Sequence, residues 1–219
     1  MELVDFFSML EEIPKPEKEA LERALSRRRV PAGTVLHSGM TGCTGLLLVV
    51  SGQLRAYIVS PEGREITLYR LFDRDICLLS ASCMLHSLQF DITVEAQTPS
   101  EVWVIPADVY QKAAKSSAAL ANYTNEIMAS RFSEVMWDVE QILWKSMDKR
   151  LAGFLLEEAA LEGSDTLRLT HEKIANHLGT AREVVTRVLR LLQEEGLVRV
   201  SRGEIAITDE KRLRELSEA

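Results

Sequence analysis

The longest uninterrupted feature of this sequence is a stretch without glycine or proline, which runs for more than 40 residues from about Ala107. Glycine and proline break helices, so the segment "AALANYTNEIMASRFSEVMWDVEQILWKSM" inside it predicts one long helix. Before it, glycines recur every few residues among short apolar runs, a pattern typical of strands joined by turns. The chain therefore has a strand-rich part followed by a long helix.

The strand-rich part is predicted to fold as a β-roll of the jelly-roll type. Runs such as "LLLVV" and "SEVWVIP" are short, apolar or β-branched, and separated by turn residues, as in all-β barrels and sandwiches. The stretch "SPEGRE" indicates a hairpin, because Pro61 suits the second turn position and Gly63 tolerates a positive φ. Residues 2–28 show helical spacing and predict a helix before the roll.

The long helix carries apolar residues at alternating steps of four and three, the spacing of a coiled-coil seam. A helix of about 30 residues is longer than a small roll can cover. We therefore expect two copies of the chain to share it in a homodimer, the alternative being a stripe that packs only on its own β-domain. The predicted interface residues are Met128, Phe132, Val135, Val139 and Ile142.

Two helices are predicted near the C-terminus, in "LTHEKIANHLGTAREVVTRVLRLLQEEGLVRV". Thr170 is a suitable N-cap for the first helix, and Gly179 suits the left-handed residue that ends it. Thr180 is expected to cap the second helix, with Glu183 completing a capping box. Two helices joined across a turn of about three residues have the spacing of a helix-turn-helix.

The second of these helices separates its residues onto two faces at about 100° per residue. The inward stripe is Val185, Val188, Leu189 and Leu192. The outward face carries arginine, which binds guanine through two donors, together with glutamate and threonine, which can contact cytosine and thymine. A solvated charged face is the alternative to one that reads DNA. The outward residues are Arg182, Glu183, Thr186, Arg187 and Arg190.

Two short strands, "GLVRV" and "EIAITD", flank a glycine turn after this helix and predict the wing of a winged helix. Arg199 and Arg202 are expected to meet DNA phosphates there, unless they are ordinary surface arginines. The net charge of −7 weighs weakly against nucleic acid, but it is unevenly distributed. Residues 1–167 carry a balance of −8 and residues 168–219 one of +1, so the basic patch is local.

Other classes of function lack their signatures in this sequence. No apolar run approaches the roughly 18 residues of a membrane span, and the N-terminus has no export signal, so we expect a cytoplasmic protein without a membrane partner. The three cysteines do not form a disulfide framework. Phosphate loops, zinc motifs, the G-x-S-x-G elbow and the His-x-His set of metal cupins are missing, which argues against an enzyme.

These features predict an α+β fold with three parts. Residues 1–115 would form the N-terminal helix and β-roll sensor domain, and residues 116–146 the long dimerisation helix. Residues 147–219 would form a winged helix-turn-helix domain that binds double-stranded DNA. The segment Ser146 to Lys149 breaks the helical pattern and is the expected hinge between them.

This order of parts resembles the Crp/Fnr family of bacterial transcription regulators over nearly the whole chain. The stretch "LTHEKIANHLGTAREVVTRVLRLLQEEGLV" is similar to the family's DNA-binding signature. The resemblance implies a homodimer that reads a near-palindrome with a TGA-like half-site core, with RNA polymerase as a further partner. It assigns base reading to the positions held by Arg182, Glu183, Thr186 and Arg187. Thr180, Arg190 and Arg202 complete the predicted DNA-binding set.

The phosphate-binding cassette of the family's cyclic AMP receptors is missing. Those proteins carry Gly-Glu-Leu followed by Arg-Ser, whereas here Phe90 and Asp91 stand about where Arg-Ser would be. A buried phosphate facing a carboxylate without an arginine is costly, so we predict an effector other than cyclic AMP. An Fnr-type iron–sulfur cluster is not expected, since three cysteines cannot supply four thiolates.

Residues 74–90 replace this cassette and are the predicted sensor element. Two cysteines lie six residues apart there, with a histidine nearby, so a thiol–disulfide pair, a metal ion and a haem are alternatives to a small organic effector. The plainest interpretation is that both cysteines are small buried hydrophobic residues without a sensing role. A winged helix that binds only protein is the remaining alternative function. The predicted sensor residues are Cys77, Cys83, His86, Phe90 and Asp91.

Overall fold

The computed structural model describes residues 2–39, 43–84 and 90–218. Its architecture is the predicted α+β one, with antiparallel sheets in the N-terminal part and a winged helix-turn-helix in the C-terminal part. The described residues group into two units. One contains those up to residue 58 together with 68–135, and the other contains 59–67 together with those from 136 onward.

The N-terminal segment is broken into short pieces. Two 3-10 turns, Leu3–Asp5 and Leu10–Glu12, precede helix α1 (Lys15–Ala24). The single helix predicted over residues 2–28 is therefore wrong. Pro14 stands at the N-cap of α1, and a proline fixes its own φ and disfavours helix in the residue before it. After α1 the chain becomes extended and enters the sheet.

The β-roll consists of antiparallel strands in two sheets. One sheet has the order β1-β8-β3-β6 and the other β2-β7-β4-β5. Strand β3 is buried on both faces, because alternate residues point to opposite sides. Leu46 and Leu48 pack in one apolar cluster, and Leu47 and Val49 pack in another. The strands are β1 (Ser26–Val30), β2 (Val35–Ser38), β3 (Leu46–Ser51), β4 (Leu54–Val59), β5 (Glu65–Leu71), β6 (Ile76–Cys77), β7 (Thr93–Ala96) and β8 (Ser100–Ile105).

Helix α2 (Ala107–Ser116) and the long helix α3 (Ala118–Trp144) follow the roll. Along α3, Leu120 is buried in the roll's core and Met128 and Val135 pack against it. Met128 and Val135, predicted at the dimer seam, thus contact the chain's own β-domain. Phe132, Val139 and Ile142 from the same predicted set are exposed.

Helix α3 exposes seven large apolar residues, and four of them lie on one face. The seven are Phe132, Met136, Trp137, Val139, Ile142, Leu143 and Trp144. Phe132, Met136, Val139 and Leu143 are all exposed and follow one another at steps of four, three and four. We call these four residues the α3 stripe. The predicted dimer seam stays a prediction: Phe132, Val139 and Ile142 of that set are exposed, whereas Met128 and Val135 pack against the roll.

The second unit is built around an apolar core of its own, in which Leu151, Leu155 and Val185 are fully buried. Helix α4 begins after the N-cap Ser146, inside the predicted hinge, and ends at Gly163 in a left-handed conformation. The elements are α4 (Met147–Glu162), β9 (Thr166–Leu167), α5 (His171–Leu178), α6 (Arg182–Glu194), β10 (Val198–Ser201), β11 (Glu204–Ile207) and α7 (Glu210–Glu218). Among the described residues, no helix is long and apolar enough to cross a membrane.

Candidate nucleic-acid interface

Helix α5 is held at both ends by the contacts that its sequence predicts. Thr170 is its N-cap, and its side-chain oxygen accepts a hydrogen bond from the Lys173 N–H at 3.2 Å. Gly179 ends the helix with φ +66°, a conformation that costs little only for glycine. The Arg150 guanidinium of α4 donates to the Leu178 carbonyl at 2.6 Å. These contacts fix the direction in which the chain leaves α5.

Helix α6 begins one residue later than predicted. Its N-cap is Ala181, which offers no side-chain acceptor, so the capping box from Thr180 to Glu183 is wrong. The Thr180 N–H instead donates to the Ala175 carbonyl and helps to close α5. The Glu183 carboxylate is consequently not used as a cap and remains exposed in the first turn of α6.

The two faces of α6 separate as predicted. Val185, Val188, Leu189 and Leu192 are its buried residues. Arg182, Glu183, Thr186, Arg187 and Arg190 are all exposed. Within the described part of the chain, no ion pair engages the side chain of Arg182 or Arg187, whereas Arg190 lies 3.4 Å from Glu194 on the same helix. Two guanidinium groups are thus available to an external acceptor.

Thr186 has hydrogen bonds that the sequence does not indicate. Its hydroxyl donates to the Arg182 carbonyl at 3.0 Å, and its oxygen lies 2.8 Å from Nδ1 of His171, the first residue of α5. Partial burial, and secondarily the Arg182 guanidinium, lower the pKa of His171. The spacing of 15 residues between His171 and Thr186 gives no periodic signal, so only the helix-turn-helix geometry brings them together.

The wing is a two-stranded turn beside the end of α6. β10 and β11 pair antiparallel, with Arg199 opposite Ala206, and Gly203 in their turn has φ +79°. The Gln193 side chain at the end of α6 accepts a hydrogen bond from the Val200 N–H at 2.7 Å. This bond joins the wing to α6 and leaves Arg199 and Arg202 exposed.

The cysteines of the predicted sensor element are arranged differently from the expectation. Cys83 is disulfide-bonded to Cys43, and the Cα atoms are 5.6 Å apart. Cys77 is a fully buried free thiol 3.6 Å from the Tyr69 hydroxyl, and burial raises its pKa. A pair formed by Cys77 and Cys83 is therefore wrong, because Cys77 is enclosed in the roll's core while Cys83 is exposed.

The other predicted sensor residues do not converge on one point. His86 lies outside the described residues. Phe90 and Asp91 are exposed, and Asp91 sits against Gly39 at the end of β2. In the part of the chain that is described, no group of three or more His, Cys, Asp or Glu residues is placed to hold a metal ion.

A cavity of about 220 Å³ lies between the segment at Arg74 and the long helix α3. Arg131 in its wall is paired with Asp75 at 3.2 Å and with Glu134 at 2.7 Å. Arg74 has a φ of +74°, a left-handed conformation that is uncommon outside glycine. The lining residues are Arg74, Asp75, Ile76, Tyr123, Ile127, Ser130, Arg131 and Glu134. The cavity lies where the predicted sensor segment 74–90 meets α3.

Two family models match the chain. A cyclic nucleotide-binding domain model matches residues 27–117, which contain the roll. A Crp-like helix-turn-helix domain model matches residues 149–216, which contain α5, α6 and the wing. Residues 118–148, which contain α3, lie between the two matches.

Similar proteins agree with these models. A crystal structure from Eubacterium rectale, assigned to the Crp/Fnr family of transcriptional regulators, is 56% identical, with a TM-score of 0.95 over 98% of this chain and 100% of that one. The global nitrogen regulator of Synechococcus elongatus is 29% identical over 73% of this chain and 75% of its own length. The cyclic AMP receptor protein of Thermus thermophilus is 26% identical over 91% of this chain and 93% of its own. The fold, the helix-turn-helix and these relatives establish that the chain belongs to the Crp/Fnr family of transcription regulators.

Proposed function

We propose that this chain is a sequence-specific, homodimeric transcription regulator that inserts α6 into the major groove of DNA. The observation that carries the proposal is the exposed face of α6, where Arg182 and Arg187 have no ion pair within the described chain and Glu183 is not used as a cap. Membership of a family of DNA-binding regulators supports the same conclusion, as well as a cytoplasmic location and RNA polymerase as a partner.

The chemistry of that face matches G·C base pairs. Arginine donates two hydrogen bonds to guanine O6 and N7, and glutamate accepts from cytosine N4. We assign these roles to Arg182, Arg187 and Glu183, which suits a half-site with a TGA-like core. Thr180, Arg190 and Arg202 lie around this face, and we assign them to phosphate contacts, which fix the register.

A homodimer would present two such helices to successive major grooves about 34 Å apart. The α3 stripe supports this assembly, because four large apolar side chains at coiled-coil spacing are exposed on one face. Exposed apolar surface of this kind marks an interaction site. A symmetric pair of helices predicts a near-palindromic site.

The test is a selection from random duplexes followed by affinity measurements at several salt concentrations. A near-palindrome should emerge, and log affinity should fall linearly with log salt concentration, because bound phosphates release counterions. Arg202→Ala removes one phosphate contact from each protomer of the dimer, so it should lower the slope by about 2 without changing the selected sequence. Arg28→Ala, which removes an exposed arginine from β1, is the matched control. Affinity without salt dependence or sequence preference would instead support a winged helix that binds only protein.

We place the effector in the cavity between Arg74 and α3, and propose that it is not cyclic AMP. The cavity adjoins the segment that replaces the family's phosphate cassette, and Arg131 offers a guanidinium that a polar ligand could take over from Asp75 and Glu134. Native mass spectrometry and an absorption spectrum of protein purified without oxygen would detect a carried ligand, haem or metal. Arg131→Ala should release a ligand bound there but not a ligand held elsewhere.

A thiol-based signal is the second candidate, and the exposed disulfide between Cys43 and Cys83 favours it. In that case a dithiol reductant would reduce the disulfide to two thiols and become a disulfide itself, and DNA affinity would change. Non-reducing peptide mapping of protein isolated under thiol-trapping conditions tests this. Cys43→Ser should abolish the response, while Cys77→Ser should leave it intact because Cys77 is buried and unpaired.

A further inference from the structure

The hydroxyl of Thr186 is engaged on two sides by the protein itself. Four residues earlier on α6, the Arg182 carbonyl accepts its hydrogen bond at 3.0 Å. Across the turn, Nδ1 of His171 lies 2.8 Å from the same oxygen. Thr186 is nevertheless exposed and belongs to the face proposed to enter the major groove. A side chain at the DNA surface thus has its polar atom directed to protein partners.

The hydrogen count limits what this hydroxyl can offer to a base. A threonine hydroxyl has a single hydrogen to donate. If that hydrogen goes to the Arg182 carbonyl, Nδ1 of His171 carries the proton and donates to the threonine oxygen. If it goes instead to His171, the histidine is the acceptor. In both tautomers the only hydroxyl hydrogen is used inside the protein, and none remains for a base acceptor.

These bonds leave the methyl group of Thr186 free, and they leave its hydroxyl oxygen able only to accept a hydrogen bond from a base, never to donate one. Among the base edges in the major groove, only thymine presents an apolar group, its C5-methyl. We propose that His171 is a positioning residue that holds the Thr186 hydroxyl against the protein, so that Thr186 presents its methyl group and selects thymine by apolar contact. This inference rests on the proposed function and adds a specificity residue on α5 to the face on α6.

The electrostatic surroundings of His171 agree with a positioning role. Partial burial and the Arg182 guanidinium lower its pKa, and both favour the neutral ring. A neutral imidazole makes a weak partner for a phosphate but still supplies one donor and one acceptor nitrogen. Its contribution would therefore pass through Thr186 rather than through charge.

The experiment measures binding to the selected duplex with each thymine replaced in turn by deoxyuridine, which lacks only the C5-methyl group. Wild-type protein should lose about fourfold in affinity at one position per half-site, the size expected for one buried carbon group. Thr186→Val keeps the methyl group and should behave the same way. Thr186→Ser keeps the hydroxyl, loses the methyl, and should no longer distinguish thymine from deoxyuridine at that position.

His171 is tested by a double-variant cycle on the same duplexes. His171→Ala should reduce the preference for thymine when residue 186 is threonine, and His171→Asn, whose amide can donate to the hydroxyl, should restore part of it. In the Thr186→Val background, which has no hydroxyl to hold, His171→Ala should have no further effect. Melting temperatures of all variants establish that each is folded.

Three results would overturn the inference. The first is a deoxyuridine scan in which no position depends on residue 186. The second is a Thr186→Val variant that loses as much thymine preference as Thr186→Ser. The third is an equal effect of His171→Ala on that preference in both backgrounds. Each leaves the proposed function standing as long as wild-type protein still binds its selected duplex with a steep salt dependence. Failure of that binding would instead refute the proposed function itself.

Discussion

Arg187 is the residue from which the base-reading hypothesis makes its sharpest prediction. Its side chain is exposed and has no ion pair in the described part of the chain, so removing it leaves the fold's core untouched. Arg187→Ala should weaken specific binding by about 1–3 kcal/mol and relax the preference at one G·C pair. Affinity measurements and a repeated duplex selection with the variant test both effects. An unchanged selected sequence would show that Arg187 does not contact a base.

His37 makes the stability of the roll depend on pH. Its side chain is only 2% exposed, and burial lowers its pKa, an effect that the Asp91 carboxylate partly offsets. Below the ordinary histidine pKa of 6.5, His37 therefore binds a proton more readily in the unfolded chain than in the folded one. The contribution of His37 to the free energy of unfolding is fully present above that pH. It falls on acidification by at most about 1.4 kcal/mol per pH unit.

Urea unfolding between pH 5 and 7, followed by tryptophan fluorescence, would measure this dependence, because buried Trp103 lies in the core of the roll. His37→Gln should be less stable overall, yet its free energy of unfolding should change less with pH than that of the wild type. His171→Gln, in the other unit, is measured alongside, because the lowered pKa of His171 contributes a pH dependence of the same sign. Equal pH slopes for wild type and His37→Gln would show that another group titrates.

Residue-level expectations from the sequence were right where one local rule was sufficient. The buried stripe of α6, the N-cap Thr170 and the left-handed Gly179 follow from periodicity, hydrogen-bonding capacity and backbone preference. The cap at Thr180 failed because the turn used its N–H for α5. The Cys43–Cys83 bond and the His171–Thr186 contact join residues 40 and 15 positions apart, and no local rule reports such distances.

At the scale of the element, α3 shows that sequence periodicity predicts a helix more reliably than it predicts what each face of the helix contacts. A 4–3 repeat identifies an apolar face, but α3 has one face toward the roll, with Met128 and Val135, and another exposed in the α3 stripe. Because both faces are apolar, the sequence pattern alone does not distinguish the residues of one face from those of the other. The boundaries predicted at residues 115 and 146 stay predictions, although α3 ends at Trp144 and α4 begins at Met147.

The α3 stripe predicts the effect of a charge on assembly. Phe132 is 68% exposed in the single chain, and in a coiled-coil seam its ring would be buried against a second copy. Phe132→Glu should convert the dimer to monomer, because an unpaired carboxylate in an apolar interface costs several kcal/mol. Sedimentation or light scattering measures the mass. Ser133→Glu, on the next residue and off the stripe, should remain dimeric, and dissociation of both variants would contradict the proposed seam.

For the whole molecule, the central question is which ligand a roll of the cyclic nucleotide-binding type binds when its sequence departs from the phosphate cassette of the cyclic AMP receptors. The roll matches that domain model over residues 27–117, so its architecture is retained. The position expected to provide arginine and serine holds Phe90 and Asp91, both exposed. A carboxylate repels a phosphate, and burying the two together without a cation is unfavourable. We therefore expect the roll to keep the architecture of a cyclic nucleotide-binding domain and to bind a different ligand.

The corresponding prediction is that millimolar cyclic AMP changes neither the melting temperature nor the DNA affinity. A ligand that binds only the folded state stabilises it by RT ln(1 + [L]/Kd), about 4.1 kcal/mol at the thousandfold excess of millimolar ligand over a micromolar Kd. Real binding with a micromolar Kd would thus shift the melting temperature by several degrees. Sodium phosphate at equal ionic strength is the control. A shift specific to cyclic AMP would mean that another cation replaces the missing arginine, with Arg74 and Arg131 beside the cavity as the first residues to mutate.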